Sequence, residues 1–185
     1  MFTRHYPHWP PGVPKTLSVP RTSLFYNLEV SARRYPEKVA LHYYGTGISY
    51  AELLRSAEAL AGHLQQACGV RRGDRVLLYT QNSPQFVIGY YAILRADAVV
   101  VPVNPMNKRD ELAHYIDDAD ARTVICTQEL FAEVEPHLGK GLEHCVLGAY
   151  SDYLREATGL NVPEFVRAPR AAPAPAKSST TGCAI

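Results

Sequence analysis

Short apolar segments alternate along the chain with longer segments whose apolar residues repeat at the spacing of a helix face. The apolar segments predict strands at residues 39–44, 48, 75–79, 99–103, 123–126 and 145–147. The longer segments predict helices at residues 22–35, 50–68, 86–95, 109–119, 128–137 and 151–158. Strands that are separated by helices pair in parallel through right-handed crossovers. We therefore predict an α/β fold with a mainly parallel sheet, helices on both of its faces, and a small N-terminal hairpin that turns at residues 45–47.

The predicted helices differ in how much of their surface is apolar. One face of the segment 50–68 carries the apolar residues Leu53, Ala57, Leu60 and Leu64. This spacing is typical of a helix with one side in the core. The segment 86–95 is apolar nearly all round, so we expect it deep in the fold or beneath a partner domain.

Proline marks both ends of the chain. Five of the 14 prolines lie in residues 1–20 and four in residues 163–185. Proline-rich segments with few large apolar residues cannot contribute much to a core. We therefore predict an extended N-terminal segment at 1–21, an α/β domain at 22–162, and a Pro/Ala/Ser-rich tail at 163–185 that is disordered in isolation.

Composition and charge exclude several classes of protein. Apolar residues make up 46% of the chain and charged residues 20%, as in folded globular proteins. The chain has 19 Lys and Arg against 18 Asp and Glu, and the basic excess lies in the two ends, which does not favour nucleic-acid binding. No apolar run is long enough to span a bilayer, and the N-terminus has no secretory signal, so we expect a cytoplasmic protein.

The four cysteines and seven histidines do not have the spacing of a metal site. Without a C-x-x-C pair, the cysteines favour reduced thiols over a disulfide framework or a zinc site. The acidic group Asp117, Asp118 and Asp120 is interpreted as a solvated turn at a helix end, because nothing near it in the sequence supplies a complementary catalytic group. Neither a glycine-rich dinucleotide loop, a Walker-type loop nor a nucleophile elbow is present, so these patterns predict no catalytic residue and no metal ligand.

In an open parallel sheet, ligands bind at the carboxyl ends of the strands, which here points to the loops 80–84, 102–107 and 127–129. The turn 81–83 can present a helix N-terminus to an anion, but an ordinary N-cap is the favoured interpretation. Asn104 can face a ligand or bond its own backbone in a turn, and the turn is favoured.

Several ordered motifs resemble one enzyme superfamily. The sequence ISYAELL at 48–54 resembles the first core motif of the adenylate-forming superfamily, and LRADAVVVPVNP at 94–105 resembles the second, with Asp97 where that superfamily usually has glycine. The segments YPEKVAL, GVRRGDRV and QNSPQFVIGYYAI are similar to fatty-acid CoA ligases in order and spacing. The resemblance covers about residues 7–170.

The resemblance implies an activity for a longer protein. Such ligases activate a carboxylic acid, often a fatty acid, with ATP and Mg²⁺, and transfer the acyl group from acyl-AMP to CoA. The resemblance places the loop that holds the leaving phosphates, a metal-positioning glutamate, a ribose-binding aspartate and a lysine of the C-terminal domain outside the matched segment. We therefore expect a truncated N-terminal part of an acyl-CoA ligase that is inactive alone and binds none of these cofactors tightly.

Two further expectations follow. The remainder of the N-terminal domain and the C-terminal domain are the expected partners, and surface left uncovered without them predicts self-association. An alternative is a free-standing, noncatalytic binding module that docks a partner on the sheet edge or on the helix at 86–94.

A short segment near the C-terminus resembles the phosphate loop S-G-T-T-G of the superfamily. Its residues are Ser178, Ser179, Thr180, Thr181 and Gly182. Ser178, Thr180, Thr181 and Gly182 are thus candidate phosphate-binding residues. The favoured alternative is a degenerate tail, because Ser179 replaces a glycine and no P-K-G follows.

Overall fold

The computed structural model describes residues 3–171. The α-helices of this part are α1 (Phe25–Arg34), α2 (Tyr50–Gln66), α3 (Pro84–Arg95), α4 (Arg109–Ala119), α5 (Phe131–Val134) and α6 (Glu164–Arg167). The strands are β1 (Val39–Tyr43), β2 (Thr46–Ser49), β3 (Arg75–Tyr79), β4 (Val99–Val103), β5 (Thr123–Thr127) and β6 (His144–Gly148). Turns of 3₁₀-helix lie at Tyr6–His8, Gln128–Leu130, Glu135–His137 and Tyr150–Tyr153.

The main sheet has the strand order β4-β3-β5-β6, and every neighbouring pair is parallel. Separately, β1 and β2 form an antiparallel hairpin. The predicted α/β fold, with a parallel sheet and a small hairpin, is confirmed. The hairpin turn differs in detail, because Tyr44 and Gly45 take positive φ values of 44° and 92° and so turn the chain before Thr46.

Helices cover the sheet on both faces, as predicted. On one face, the predicted apolar stripe of α2 is buried together with Val76 and Leu78 of β3. On the other face, α4 and α5 pack through residues such as Leu112 and Val134 against Leu77 of β3. Because successive strand residues point to opposite faces, a strand between two helix layers must be apolar at adjacent positions.

The apolar helix α3 lies against both α2 and the sheet. Its residues Ile88, Ala92 and Ile93 have no exposed surface. Gly89 permits the close approach, since a Cβ atom there would lie 2.8 Å from Cδ1 of Leu78. The prediction that this helix lies deep in the fold is confirmed.

The ends of α3 have identifiable causes. The Ser83 hydroxyl accepts a hydrogen bond from the N–H of Phe86 at 3.3 Å, so the favoured N-cap interpretation of this turn is confirmed. At the other end, Asp97 has a φ of 58°, and the N–H groups of Asp97 and Ala98 bond the carbonyls of Leu94 and Ile93. This is a Schellman motif, in which a left-handed residue ends the helix.

Two predicted helices are wrong in form. The predicted helix at 128–137 is divided into two 3₁₀ turns and the short α5, and Pro136 has no N–H with which to continue an α-helix. The predicted helix at 151–158 is a single 3₁₀ turn that ends at Tyr153. The N–H of Arg155 instead donates to the Thr46 hydroxyl at 3.0 Å, so a tertiary contact replaces the helical bond. In addition, α1 begins at Phe25 rather than at residue 22.

The described ends of the chain differ in their packing. Val166 of α6 is 3% exposed and packs with Tyr150 and Val162, so residues 163–167 contact the domain. Residues 172–185 lie outside the described part. Near the N-terminus most side chains are exposed, and Leu17 is 93% exposed. Across residues 3–171, no helix has both the length and the apolar character needed to cross a membrane.

Candidate functional site

The strands β3, β5 and β6 end side by side at one edge of the sheet. Tyr79 pairs in register with Cys126, and Cys126 pairs with Leu147. The residues that follow, Thr80, Thr127 and the chain from Gly148, are therefore brought together. This carboxyl edge is where open parallel sheets bind ligands, and it is the candidate site.

The Tyr150 hydroxyl lies at the centre of a buried hydrogen-bonded cluster at this edge. It accepts from the backbone N–H of Gln81 at 2.9 Å and from the Thr127 hydroxyl at 2.9 Å. The Thr80 hydroxyl lies 3.2 Å from it. Tyr150, Thr80 and Thr127 are each no more than 2% exposed. One phenol thus ties together the chain segments that leave three different strands.

Two more side chains complete this cluster. The Thr127 hydroxyl also lies 2.9 Å from Oε1 of Glu129, and the amide of Gln85 donates to the carbonyl oxygen of Ala149 at 2.5 Å. Oε2 of Glu129 and Oε1 of Gln85 are buried and have no hydrogen-bond partner among residues 3–171. The edge therefore contains buried polar acceptors as well as satisfied hydroxyls.

Burial dominates the acid–base properties of the site. Desolvation, together with the neighbouring Glu129 carboxyl, raises the pKa of Tyr150 to about 12, although bonds from Thr127, Thr80 and Gln81 oppose the shift. Desolvation likewise raises the pKa of Tyr79 to about 12. Both phenols stay protonated at neutral pH and act as hydrogen-bonding groups rather than as bases.

The chain after α6 runs along the same edge. The amide nitrogen of Gln128 donates to the carbonyl oxygen of Pro169 at 3.0 Å, and its oxygen accepts from the N–H of Ala171 at 3.0 Å. Arg170 forms an ion pair with Asp152 and also donates to the carbonyl oxygen of Leu147 at 3.3 Å. These contacts fix residues 168–171 beside the end of β6.

The residues singled out by sequence have different positions. Asn104 accepts from the N–H of Met106 at 2.9 Å, so the turn interpretation is confirmed. Asp117, Asp118 and Asp120 are exposed at the end of α4, and Asp120 pairs with Arg75. The candidates Ser178, Thr180, Thr181 and Gly182 lie outside the described residues.

Sequence reasoning located two of the loops of the cluster but not its central members. The sequence points to the segments 80–84 and 127–129, whereas it offers no motif at Tyr150 or Gln85. Gln85 is a polar residue at the start of an otherwise apolar helix and is 1% exposed. That interruption of the apolar pattern is the signal that points to it.

Residues 3–171 do not by themselves fit a nucleoside triphosphate. The carboxyl edge carries Glu129 and Asp152, and the guanidinium of Arg170 is already bound by Asp152. The cavity on this side, lined by His42, Tyr43 and the start of α3, measures about 210 Å³. Ligand pockets commonly measure roughly 300–1,000 Å³.

A cavity of about 620 Å³ lies at the opposite edge, where β3, β5 and β6 begin. Within the described part of the chain, no three His, Cys, Asp or Glu side chains are grouped so as to hold a metal ion.

The known proteins that this chain resembles include long-chain-fatty-acid–CoA ligases. The chain is 37% identical over 123 residues to the long-chain-fatty-acid–CoA ligase of Bacillus subtilis, which covers 66% of this chain and 22% of the relative. A crystal structure of a long-chain-fatty-acid–CoA ligase from Archaeoglobus fulgidus matches with a TM-score of 0.63 and 28% identity, over 71% of this chain and 28% of that one. The NpsA N-terminal subdomain of Klebsiella oxytoca matches with a TM-score of 0.53 and 31% identity, over 56% of this chain and 26% of that one.

The chain thus spans about a quarter of the length of these relatives. The resemblance noted from the core motifs at 48–54 and 94–105 is confirmed, because the sequence profile of the family described as AMP-binding enzyme matches residues 28–181. The chain belongs to this family of AMP-binding, adenylate-forming enzymes.

Proposed function

We propose that this chain is the first part of an AMP-forming acid–CoA ligase. The complete protein would convert a fatty acid, ATP and CoA into acyl-CoA, AMP and pyrophosphate through an acyl-adenylate. The observation that carries this proposal is the 37% identity to a long-chain-fatty-acid–CoA ligase over 123 residues. The core motifs support it, since residues 48–54 join β2 to α2 and residues 94–105 contain the whole of β4.

In this proposal the described residues form scaffold rather than reacting groups. The Tyr150 cluster holds the ends of β3, β5 and β6 in fixed relative positions. A site built on the loops that follow these strands requires the strand ends to be fixed. Small displacements of the groups that position a substrate greatly reduce the rate of catalysis. ATP, Mg²⁺ and CoA would bind to groups contributed by other parts of the complete protein.

We also propose that the 185-residue chain does not catalyse adenylation alone. Phosphoryl and acyl transfer need positive groups or metal ions where negative charge develops. The described carboxyl edge instead carries Glu129, Asp152 and a paired Arg170.

Acid-dependent exchange of pyrophosphate into ATP tests both statements. We expect no exchange by the purified chain with fatty acids of any length. We expect exchange by a hybrid in which this chain replaces the matching segment of the Bacillus subtilis ligase. The control is the parent Bacillus subtilis enzyme measured under the same conditions.

The two parts of the proposal fail separately. Strong exchange by the 185-residue chain contradicts its inactivity. A hybrid that unfolds cooperatively but forms no acyl-adenylate from any fatty acid contradicts the ligase assignment.

A further inference from the structure

Two cysteine thiols from neighbouring strands lie in contact inside the fold. Sγ of Cys126 in β5 is 3.5 Å from Sγ of Cys145 in β6. Both side chains are 1% exposed and belong to the apolar cluster on the face of the sheet that α4 and α5 cover. Cys68 is buried in the cluster on the opposite face. Among residues 3–171, Cys126 and Cys145 are therefore the two thiols that can react with each other.

The hydrogen bond between the two thiols gives them different roles. This bond to Cys145, followed by burial, raises the pKa of the Cys126 thiol well above its usual range. Cys126 therefore keeps its proton at neutral pH and donates it to the Cys145 sulfur. Because a firmly protonated thiol is a poor nucleophile, Cys145 rather than Cys126 is the sulfur that reacts first with an oxidant.

The register of β5 and β6 places the two cysteines diagonally. Cys126 lies opposite Leu147, and Cys145 lies opposite Val124. With strands about 4.8 Å apart and a rise of about 3.3 Å per residue, the α-carbons of the two cysteines are roughly 8 Å apart. The α-carbons of a disulfide are usually about 4.4–6.8 Å apart. A bond between the sulfurs therefore requires β6 to slide along β5 toward the carboxyl edge.

Movement of β6 reaches the Tyr150 cluster through a short connection. Only Ala149 separates the end of β6 from Tyr150. The carbonyl oxygen of Ala149 accepts from the amide of Gln85, and the Tyr150 hydroxyl accepts from the N–H of Gln81 and from Thr127. These three donors lie outside β6 and the segment that follows it. A displaced β6 therefore strains or breaks the bonds that they make.

We propose that Cys126 and Cys145 form a reversible oxidation site, in which a peroxide converts the two thiols into a disulfide and shifts β6 along β5. Cys145 attacks one oxygen of hydrogen peroxide, the O–O bond breaks, and a sulfenic acid and one water molecule form. The Cys126 thiol then attacks that sulfur, the S–O bond breaks, and a second water molecule leaves. Over both steps each sulfur loses one electron, and the peroxide takes up the pair.

The surroundings of the two thiols limit which reagents act on them. Burial excludes bulky reagents, whereas hydrogen peroxide is little larger than the water molecules that occupy protein interiors. A disulfide between α-carbons that are held too far apart is strained, and a strained disulfide is more easily reduced. The oxidised state therefore forms with a small oxidant and is reversed by a dithiol.

Peptide mapping by mass spectrometry tests the site in the 185-residue protein. The reduced protein is exposed to hydrogen peroxide, denatured in N-ethylmaleimide and digested. We expect one disulfide within the chain, between the peptides that contain Cys126 and Cys145, and its complete loss in dithiothreitol. The matched control is the double change Cys68→Ser and Cys183→Ser, which leaves the pair intact and should give the same yield of disulfide.

Single variants test the order of the two steps. In Cys126→Ala, dimedone added with the denaturant should label Cys145 as a sulfenic acid, because the thiol that would form the disulfide is missing. In Cys145→Ala, labelling of Cys126 should be weaker by about tenfold, because this buried thiol remains protonated. Equal labelling in the two variants contradicts the assignment of Cys145 as the sulfur that reacts first.

Hydrogen exchange tests the movement of β6. Oxidation is expected to speed exchange at the N–H of Gln81 by about tenfold, which corresponds to the loss of one ordinary hydrogen bond. The N–H of Val101 in β4, on the far side of β3, is the internal control and should be unchanged. Peroxide should not speed exchange at Gln81 in Cys145→Ala, which cannot form the disulfide.

The proposal is overturned if peroxide leaves both thiols reduced, or if it converts them separately to sulfinic acids, as expected of two unconnected buried thiols. Disulfides that involve Cys68 or Cys183, or that join two chains, overturn it as well. A disulfide between Cys126 and Cys145 that leaves exchange at Gln81 unchanged contradicts the movement of β6. None of these measurements depends on the proposed ligase activity.

Discussion

The backbone N–H of Gln81 donates a hydrogen bond of 2.9 Å to the hydroxyl of Tyr150, although 69 residues separate them in the chain. The bond joins the segment that leaves β3 to the segment that leaves β6. Thr127, at the end of β5, donates to the same hydroxyl. One side chain from outside the strands therefore links the ends of β3, β5 and β6.

Removing that hydroxyl is expected to destabilise the fold. Tyr150→Phe removes the acceptor that the part-buried N–H of Gln81 and the buried hydroxyl of Thr127 share, which costs about 1–3 kcal/mol. Urea unfolding of the variant and the unchanged protein measures the difference. Tyr35→Phe is the control, because Tyr35 is 57% exposed and should show no change. Equal unfolding midpoints for Tyr150→Phe and the unchanged protein would contradict the role of the cluster.

The raised pKa of Tyr150 predicts that the folded protein loses stability at high pH. Burial raises the pKa of Tyr150 from 10.0 to about 12, so the folded state holds the proton more tightly than the unfolded state does. Its contribution to the free energy of unfolding is complete below pH 10 and is lost as the pH rises toward 12. Between these values, the free energy of unfolding should fall more steeply with pH in the unchanged protein than in Tyr150→Phe. The same slope in both would show that this proton is not linked to folding.

Asp97 predicts a stabilising substitution. It has a φ of 58° at the end of α3. A left-handed conformation costs an L-residue about 1–2 kcal/mol, and less for aspartate than for most. Asp97→Gly is therefore expected to raise the free energy of unfolding by about 1 kcal/mol. Asp97→Ala is the control and should give no gain, since the left-handed conformation costs alanine at least as much as aspartate. A gain in both variants would point to the charge rather than the backbone.

Two helical glycines predict opposite responses to the same change. A Cβ atom added at Gly62 in α2 would have no neighbouring atom within 4 Å, so Gly62→Ala should stabilise by about 0.5–1 kcal/mol. At Gly89 the added Cβ would lie 2.8 Å from Cδ1 of the fully buried Leu78. Overpacking typically costs about 1–3 kcal/mol, so Gly89→Ala should destabilise despite its better helix propensity. Thermal unfolding compares the two, and stabilisation by both changes would mean that α3 does not pack closely on β3.

The elements that sequence predicted best are those with strong local signals. The strands Arg75–Tyr79 and Val99–Val103 and the helix Arg109–Ala119 have their predicted bounds. Glycine or proline limits both strands, and the helix carries apolar residues at a regular spacing. Local chemistry also predicted the cap at Ser83 and the turn at Asn104 correctly.

The elements that sequence predicted poorly depend on distant contacts. Nothing local to Arg155 indicates that its N–H bonds Thr46, and this bond replaces the predicted helix there. In the same way, Tyr150 and Gln85 have no spacing motif, because chain segments far apart in sequence bring their partners to them. Sequence could therefore indicate which edge of the sheet matters but not which side chains meet there.

The contact between Thr46 and Arg155 has a consequence for the order in which the protein matures on the ribosome. Arg155 also pairs with Glu52. The β1–β2 hairpin and the start of α2 therefore each make a contact with a residue that is synthesised about a hundred residues later. Contacts between such distant residues form late, because the intervening chain must first be closed into a loop. The early hairpin should therefore remain open to nascent-chain chaperones and proteases until the segment around Arg155 has emerged.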